Sequence, residues 1–145
     1  MVKFFEIGKI DDALLRFAVI VTKTEGKWVF CKHRERETYE CPGGHREPGE
    51  NIYDTAKREL YEETGAIDFD IKPLCVYCVC DENECSDASY GMICFARVKT
   101  FEKELHSEIE KIVITQSLPE KWTYPDIQPY ILEETKRRLA AEEMK

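Results

Sequence analysis

The feature that most limits what this chain can become is one run, GGHREPGENIYDTAKRELYEETGA, at residues 43–66. Paired glycines let the backbone come close to another group and take up conformations closed to other residues. Pro48-Gly49 is a turn signal placed just ahead of a helical pattern. Glu50 lies near the helix start, where the dipole favours an anion, and Gly65 reads as the C-cap. Glu59, Glu62 and Glu63 stand at i, i+3 and i+4 and so project from one side of the helix. Tyr53, Ala56 and Leu60 form the neighbouring apolar stripe. The helix therefore offers one edge to a core and one carboxylate edge to a cleft. Three like charges on one edge repel, and helix stability does not ask for them. A divalent cation resolves the repulsion, and carboxylate oxygens are the ligands that hard Mg²⁺ prefers.

The run resembles the signature of the Nudix hydrolases, G-x5-E-x7-R-E-U-x-E-E-x-G-U with U a bulky aliphatic residue. The matching positions are Gly44, Glu50, Arg58, Glu59, Leu60, Glu62, Glu63, Gly65 and Ala66. Ala66 is the one departure, small where the family carries a larger aliphatic, and it bears on local packing. The resemblance implies hydrolysis of a nucleoside diphosphate linked to another group X. It implies a site in which Glu59, Glu62 and Glu63, with the Gly44 carbonyl, hold Mg²⁺, with Mn²⁺ as the alternative. Arg58 is then expected to hold a carboxylate, Glu50 or Glu59, and Glu50 with Arg58 to brace the loop against the helix. The resemblance also allows the base to come from a loop opposite the helix. Glu104, Glu108 and Glu110 are the candidates here, Glu108 first.

Subfamily marks narrow X. Past the motif, ADP-ribose-type members carry a proline and diadenosine-polyphosphate-type members a tyrosine. The corresponding stretch here holds Cys80, Asp81, Glu82, Asn83 and Glu84. The chain looks most like the small nucleoside triphosphate pyrophosphohydrolases, which yield the monophosphate and pyrophosphate, oxidised guanine nucleotides among their substrates. A nucleotide sugar, a dinucleotide or an RNA 5′ end is the alternative substrate, and a non-catalytic nucleotide sensor the alternative from another class. In such relatives the segment before the last helix borders the base. Trp122, Tyr124 and Asp126 are therefore candidate substrate contacts: an aromatic can stack on a purine and a carboxylate can accept from its edge. The competing reading is structural, with the aromatics anchoring the helix and Asp126 capping it. Phe4, Phe17 and Tyr39 are open in the same way, and Arg34 and Arg36 could meet distal phosphates or simply solvate a loop.

A length of 145 residues suits a single domain, 1–145, with one core. No apolar run approaches the length of a membrane span and no export signal is visible, so a cytoplasmic protein with no membrane partner is expected. The net charge of -8 argues against stable binding to a nucleic-acid backbone, though not against a mononucleotide that arrives with its own cation. The seven cysteines are an odd count, which points to thiols in a reducing compartment. Cys75, Cys78 and Cys80 could suggest zinc. In a strand, however, Cys78 and Cys80 face one side and Cys75 the other, so small buried core thiols are the expectation.

Along the chain, β patterns run over 13–24, 28–33, 39–41, 69–80, 90–99 and 109–115, with a polar acidic turn at 81–89. An amphipathic helix begins near Asp126 and runs to about 142, its stripe made by Ile131, Leu132, Thr135 and Leu139, with Pro129 in its first turn. Pattern alone gives an α/β (α+β) domain, and the resemblance implies an α/β/α sandwich with a mixed sheet between helices.

Overall fold

The computed structural model describes residues 1–81, 84–102 and 109–143, with only the backbone described at 81, 84–89 and 110. Strands β1 (Val2–Phe5), β2 (Phe17–Thr24), β3 (Lys27–His33), β4 (Gly43–His45), β5 (Ala66–Asp81), β6 (Glu84–Phe101) and β7 (Ile109–Thr115) combine with helices α1 (Ile52–Thr64) and α2 (Gln128–Glu143). The sheet order is β1-β5-β6-β2-β3-β7, and β4 pairs with β2 off this path. The β2–β6 pair is parallel and its neighbours are antiparallel, so the sheet is mixed.

Alternation along the strands divides the interior in two. Ala18 and Ile20 of β2, with Met92, Cys94 and Ala96 of β6, meet Ile52, Ala56 and Leu60 of α1. Val19, Val21, Ile93 and Phe95 face the other way, toward Ile131 and Leu132 of α2. Each sheet face is thereby covered by one helix, which is the layered arrangement expected. In β5, Leu74 and Cys75 both fall in the α2 layer, because the register slips between Pro73 and Cys75.

Several boundaries differ from expectation, each for a local reason. The apolar stripe of α1 runs Ile52–Ala56–Leu60, not through Tyr53, which is exposed: Ile52 leads an i, i+4, i+8 row. The paired glycines are not a free turn. Gly43, Gly44 and His45 form strand β4, with Val19, Ala18 and Phe17 as partners. A Cβ on Gly43 would sit 2.5 Å from the Ala18 carbonyl oxygen, so only glycine allows this approach. Residues 39–41 make single bridges, Glu40 to Cys31 and Tyr39 to Trp122, instead of a strand. The expected turn at 81–89 is mostly ladder: β5 continues to Asp81 and β6 begins at Glu84. Residues 13–16 precede β2, with a short 3-10 turn at Asp12–Leu14.

Helix α1 is capped at both ends. The Asn51 side chain accepts from the Asp54 N–H at 2.8 Å, and Gly65 adopts the left-handed conformation at φ 75°. In α2, Pro129 lies in the first turn, and Ile131, Leu132 and Thr135 are buried, as the stripe predicts. Among the described residues no helix is long and apolar enough to cross a membrane.

Candidate active site

Arg58 ties the motif together. Its Nε donates to Glu50 Oε2 at 2.7 Å, and its Nη2 to Glu50 Oε1 at 2.9 Å and to the His45 carbonyl at 3.0 Å. Its Nη1 reaches Glu59 Oε1 at 2.7 Å and Glu62 Oε2 at 3.2 Å. The expectation left Glu50 and Glu59 as alternatives for Arg58, and the fork bonds both. Hydrogen bonds from Arg58 and Thr55 hold the Glu50 carboxyl down to about 2. Glu50 thus brings loop and helix into one charge-assisted network.

The three motif carboxylates differ in environment. Glu62 is the most exposed. Glu59 lies against Gly44: a Cβ there would fall 2.5 and 2.6 Å from its two carboxylate oxygens, so the bare glycine backbone forms a cradle for this side chain. Burial raises the Glu59 pKa against the opposing effect of Arg58. Glu63 is buried, and its Oε1 accepts the Gly43 N–H at 2.8 Å. Burial pushes its carboxyl up to about 8, with the charges of Glu59, Glu40 and Glu62 adding to the rise and the Gly43 hydrogen bond opposing it.

Glu63 opens onto a cavity of about 510 Å³ under the double-glycine strand. Its polar lining includes His33, Arg36, Glu40 and Glu63. Its apolar and aromatic lining includes Phe17, Tyr77, Val79, Tyr124 and Ile131. Gln128, at the start of α2, lies between strand and helix. Its Oε1 accepts the buried Cys41 N–H at 2.7 Å, which fixes the amide at the cavity wall.

The donor set suits a hard cation. Glu59, Glu62 and Glu63 could supply oxygen ligands, Arg58 neutralises part of their charge, and Glu63 has a raised pKa that a bound cation would lower. Among the described residues, no three acidic, histidine or cysteine side chains already close on one point. Mg²⁺ does not need such a cage, because it retains several waters and takes one or two carboxylates.

The remaining candidates are scattered. Tyr124 lines the cavity. Trp122 sets its ring edge-on to Phe30, with centroids 5.4 Å apart, and pairs through its backbone with Tyr39. Asp126 is exposed. Phe17 lines the cavity and meets His45 in a tilted ring contact with centroids 4.4 Å apart, whereas Phe4 packs on the α2-side core. Glu104 and Glu108 lie outside the described residues, and Glu110 is described only as backbone in β7. Cys31, Cys41, Cys75 and Cys94 are buried thiols. Cys78 and Cys80 share a face, their sulfurs 3.2 Å apart, as strand alternation predicts.

The sequence profile of the NUDIX domain matches residues 13–126. The chain belongs to the NUDIX family. A Bacillus subtilis (strain 168) protein with the provisional name 8-oxo-dGTP diphosphatase YtkD is 34% identical over 102 residues, 70% of this chain and 62% of that protein. The chain therefore spans less than two thirds of the length of this curated relative. The crystal structure of a point mutant of the Bacillus subtilis pyrophosphohydrolase BsRppH superposes with a TM-score of 0.79 at 26% identity, covering 97% of this chain and 90% of that one. A NUDIX hydrolase from Nitrosomonas europaea shares the fold, with a TM-score of 0.55 at 18% identity over 87% of this chain and 78% of that one.

The Nudix motif supplies α1 and its loop, but the cavity beside them draws on residues the motif does not contain. His33, Glu40, Tyr77 and Gln128 were not singled out from sequence. A carboxylate just ahead of Pro42-Gly43-Gly44 was the one available hint, since the chain turns toward the site there. Nothing local distinguishes Gln128 from any other glutamine at a helix start.

Proposed function

We propose that this protein hydrolyses nucleoside triphosphates, oxidised guanine nucleotides among them, to the monophosphate and pyrophosphate with Mg²⁺. The observation that carries this reading is the burial of Glu63, near Glu59 and Glu62, in the wall of a cavity that aromatic and apolar side chains also line. The names of the relatives, an 8-oxo-dGTP diphosphatase and a pyrophosphohydrolase, support the class of substrate.

In this reading Glu59, Glu62 and Glu63 hold the cation together with the Gly44 carbonyl. Bound there, Mg²⁺ neutralises diphosphate oxygens that repel a nucleophile and acidifies a water. Arg58 keeps Glu59 and Glu62 in place from behind and does not need to touch the substrate. Gly43 holds Glu63 through its N–H. Tyr124 and Phe17 offer aromatic surface to the base, while Trp122 supports the segment through Phe30 and Asp126 stays at the rim. The base is proposed to come from the segment ahead of β7, Glu108 first.

The test is a Mg²⁺-dependent assay over nucleotides, dinucleotides, nucleotide sugars and 5′-triphosphorylated RNA, with the products identified. Monophosphate plus pyrophosphate from a triphosphate is expected. Turnover confined to RNA ends or nucleotide sugars would overturn the substrate assignment. Glu62→Gln is expected to slow turnover by at least about 10³-fold in a protein that remains folded. Full Mg²⁺-dependent activity in that variant would sink the metal assignment.

A further inference from the structure

Gln128 belongs to no signature position, and the two ends of its amide are held differently. The residue is 5% exposed. A backbone N–H can only donate, so the atom 2.7 Å from the buried Cys41 N–H is the carbonyl oxygen Oε1, and the amide cannot turn over without stranding that donor. Nε2, with its two N–H bonds, is then the end that faces elsewhere. It donates to no group among the described residues, yet it is not sealed inside the protein, and Gln128 lines the cavity. A donor fixed in this way calls for an acceptor on whatever fills the cavity.

The groups around the amide suit a nucleobase. The Gln128 N–H bonds the Tyr124 carbonyl at 3.0 Å, and Ile131 follows at i+3; both residues line the cavity, so the amide stands among aromatic and apolar groups. On the sheet, Tyr77, Gly91 and Phe17 form one row across β5, β6 and β2. A Cβ on Gly91 would fall 2.6 Å from Tyr77 Cε1 and 2.9 Å from its Oη, so the phenol ring lies over the bare glycine, toward Phe17. Such a floor takes the face of a base.

We propose that Gln128 selects the base: its Nε2 donates to the 6-carbonyl oxygen of a purine, so that 6-oxopurine nucleotides are taken in preference to adenine nucleotides. The inference rests on the nucleotide hydrolase reading above and narrows its substrate. A free glutamine amide pairs with adenine by donating to N7 and accepting from the 6-amino group. Here the Cys41 N–H occupies the accepting half. The half that remains is donor-only. Guanine, hypoxanthine and guanine oxidised at C8 all present an acceptor at O6, whereas adenine sets its own amino donor against it. The hydroxyls of Tyr77 and Tyr124 donate or accept as required and do not discriminate between the two edges.

The experiment measures kcat/KM with Mg²⁺ for inosine and adenosine triphosphates, which differ at the 6-position edge alone. No turnover of either by the wild type would refute the hydrolase reading and with it this inference. With an active wild type, the ratio of the two values bears on Gln128 alone. Inosine triphosphate is expected to be favoured by at least about tenfold. An indifferent wild type, or one that favours adenine, would overturn the assignment. Gln128→Glu keeps an oxygen for the Cys41 N–H and puts an acceptor where the NH2 stood, so the ratio is expected to fall by about tenfold or more. Gln128→Met, which removes the donor and keeps the length, is expected to lower it in the same direction. A ratio that persists in whichever of these variants fold would overturn the proposal. Should neither fold, the wild type answers with the triphosphate of unsubstituted purine riboside, which lacks O6. It is expected to rank with adenosine triphosphate, and ranking with inosine triphosphate would overturn the proposal.

Discussion

Glu63 meets two opposing demands at a single carboxyl group. In the proposed role it would have to be ionised to hold a cation, yet its burial favours the protonated form, and the nearby charges of Glu59, Glu40 and Glu62 add to that preference. The sign of the resulting linkage follows directly. With a folded-state pKa of about 8 against an ordinary 4.5, the folded protein binds more protons than the unfolded chain between those values. Stability should therefore fall as pH rises from about 5 to about 8 in metal-free buffer, by on the order of 2–4 kcal/mol from this group. Glu63→Gln should remove that slope and unfold at higher urea than wild type at pH 8 with chelator present. Equal slopes in the two proteins would show that the carboxyl is not strained by its surroundings. Glu50 runs the opposite way: its depressed pKa contributes stability above its ordinary value, lost as pH falls toward about 2.

Helix α1 is short for a site that must hold several carboxylates in place, so its ends matter. Asn51 satisfies the Asp54 N–H, and Gly65 closes the helix in the left-handed conformation at φ 75°. Asn51→Ala should cost about 1 kcal/mol, from one cap hydrogen bond. Gly65→Ala should cost about 1 kcal/mol as well, because a Cβ at positive φ is strained. Urea unfolding reads both. Loss of the Gly65 cap should also lower kcat more than loss of the Asn51 cap, since Glu62 and Glu63 occupy the last turn. Equal kcat in the two variants would show that fraying at that end does not reach the carboxylates. The neighbouring Ile52–Ala56–Leu60 row anchors the helix on the sheet and so fixes where the carboxylate edge points.

At the scale of the whole molecule, the cavity exists because α2 returns to the sheet near the motif loop. Gln128 makes that junction through the Cys41 N–H at 2.7 Å. Gln128→Leu leaves a buried backbone donor without its acceptor and should cost about 1–3 kcal/mol. It should also raise KM for nucleotides more than it lowers kcat, because it loosens the wall shared by Tyr124 and Ile131 rather than the carboxylates. Thermal unfolding and initial-rate kinetics measure the two effects. An unchanged KM would place substrate elsewhere.

The helix, its Gly65 cap and its carboxylate edge were legible in the sequence pattern, whereas the layered α/β/α arrangement came from the family resemblance and the Asn51 cap was not foreseen. The legible features depend on short-range spacing: a period of 3.6 for α1, a period of two for the strands, glycine where a side chain cannot fit. The stripe of α2 was legible for the same reason. Tyr53 misled because Ile52 starts an equally regular row one residue earlier, and only contact with the sheet decides which row turns inward. The glycine strand β4 misled because glycine signals both a turn and a close approach, and the Ala18 carbonyl alone distinguishes them. The meeting of His33, Glu40, Glu63 and Gln128 at one cavity depended wholly on tertiary structure. These residues come from β3, the segment before β4, α1 and α2, and no local pattern relates them. Sequence determined which groups could bind a cation; the fold decided which of them are buried, which are paired, and which meet at one cavity.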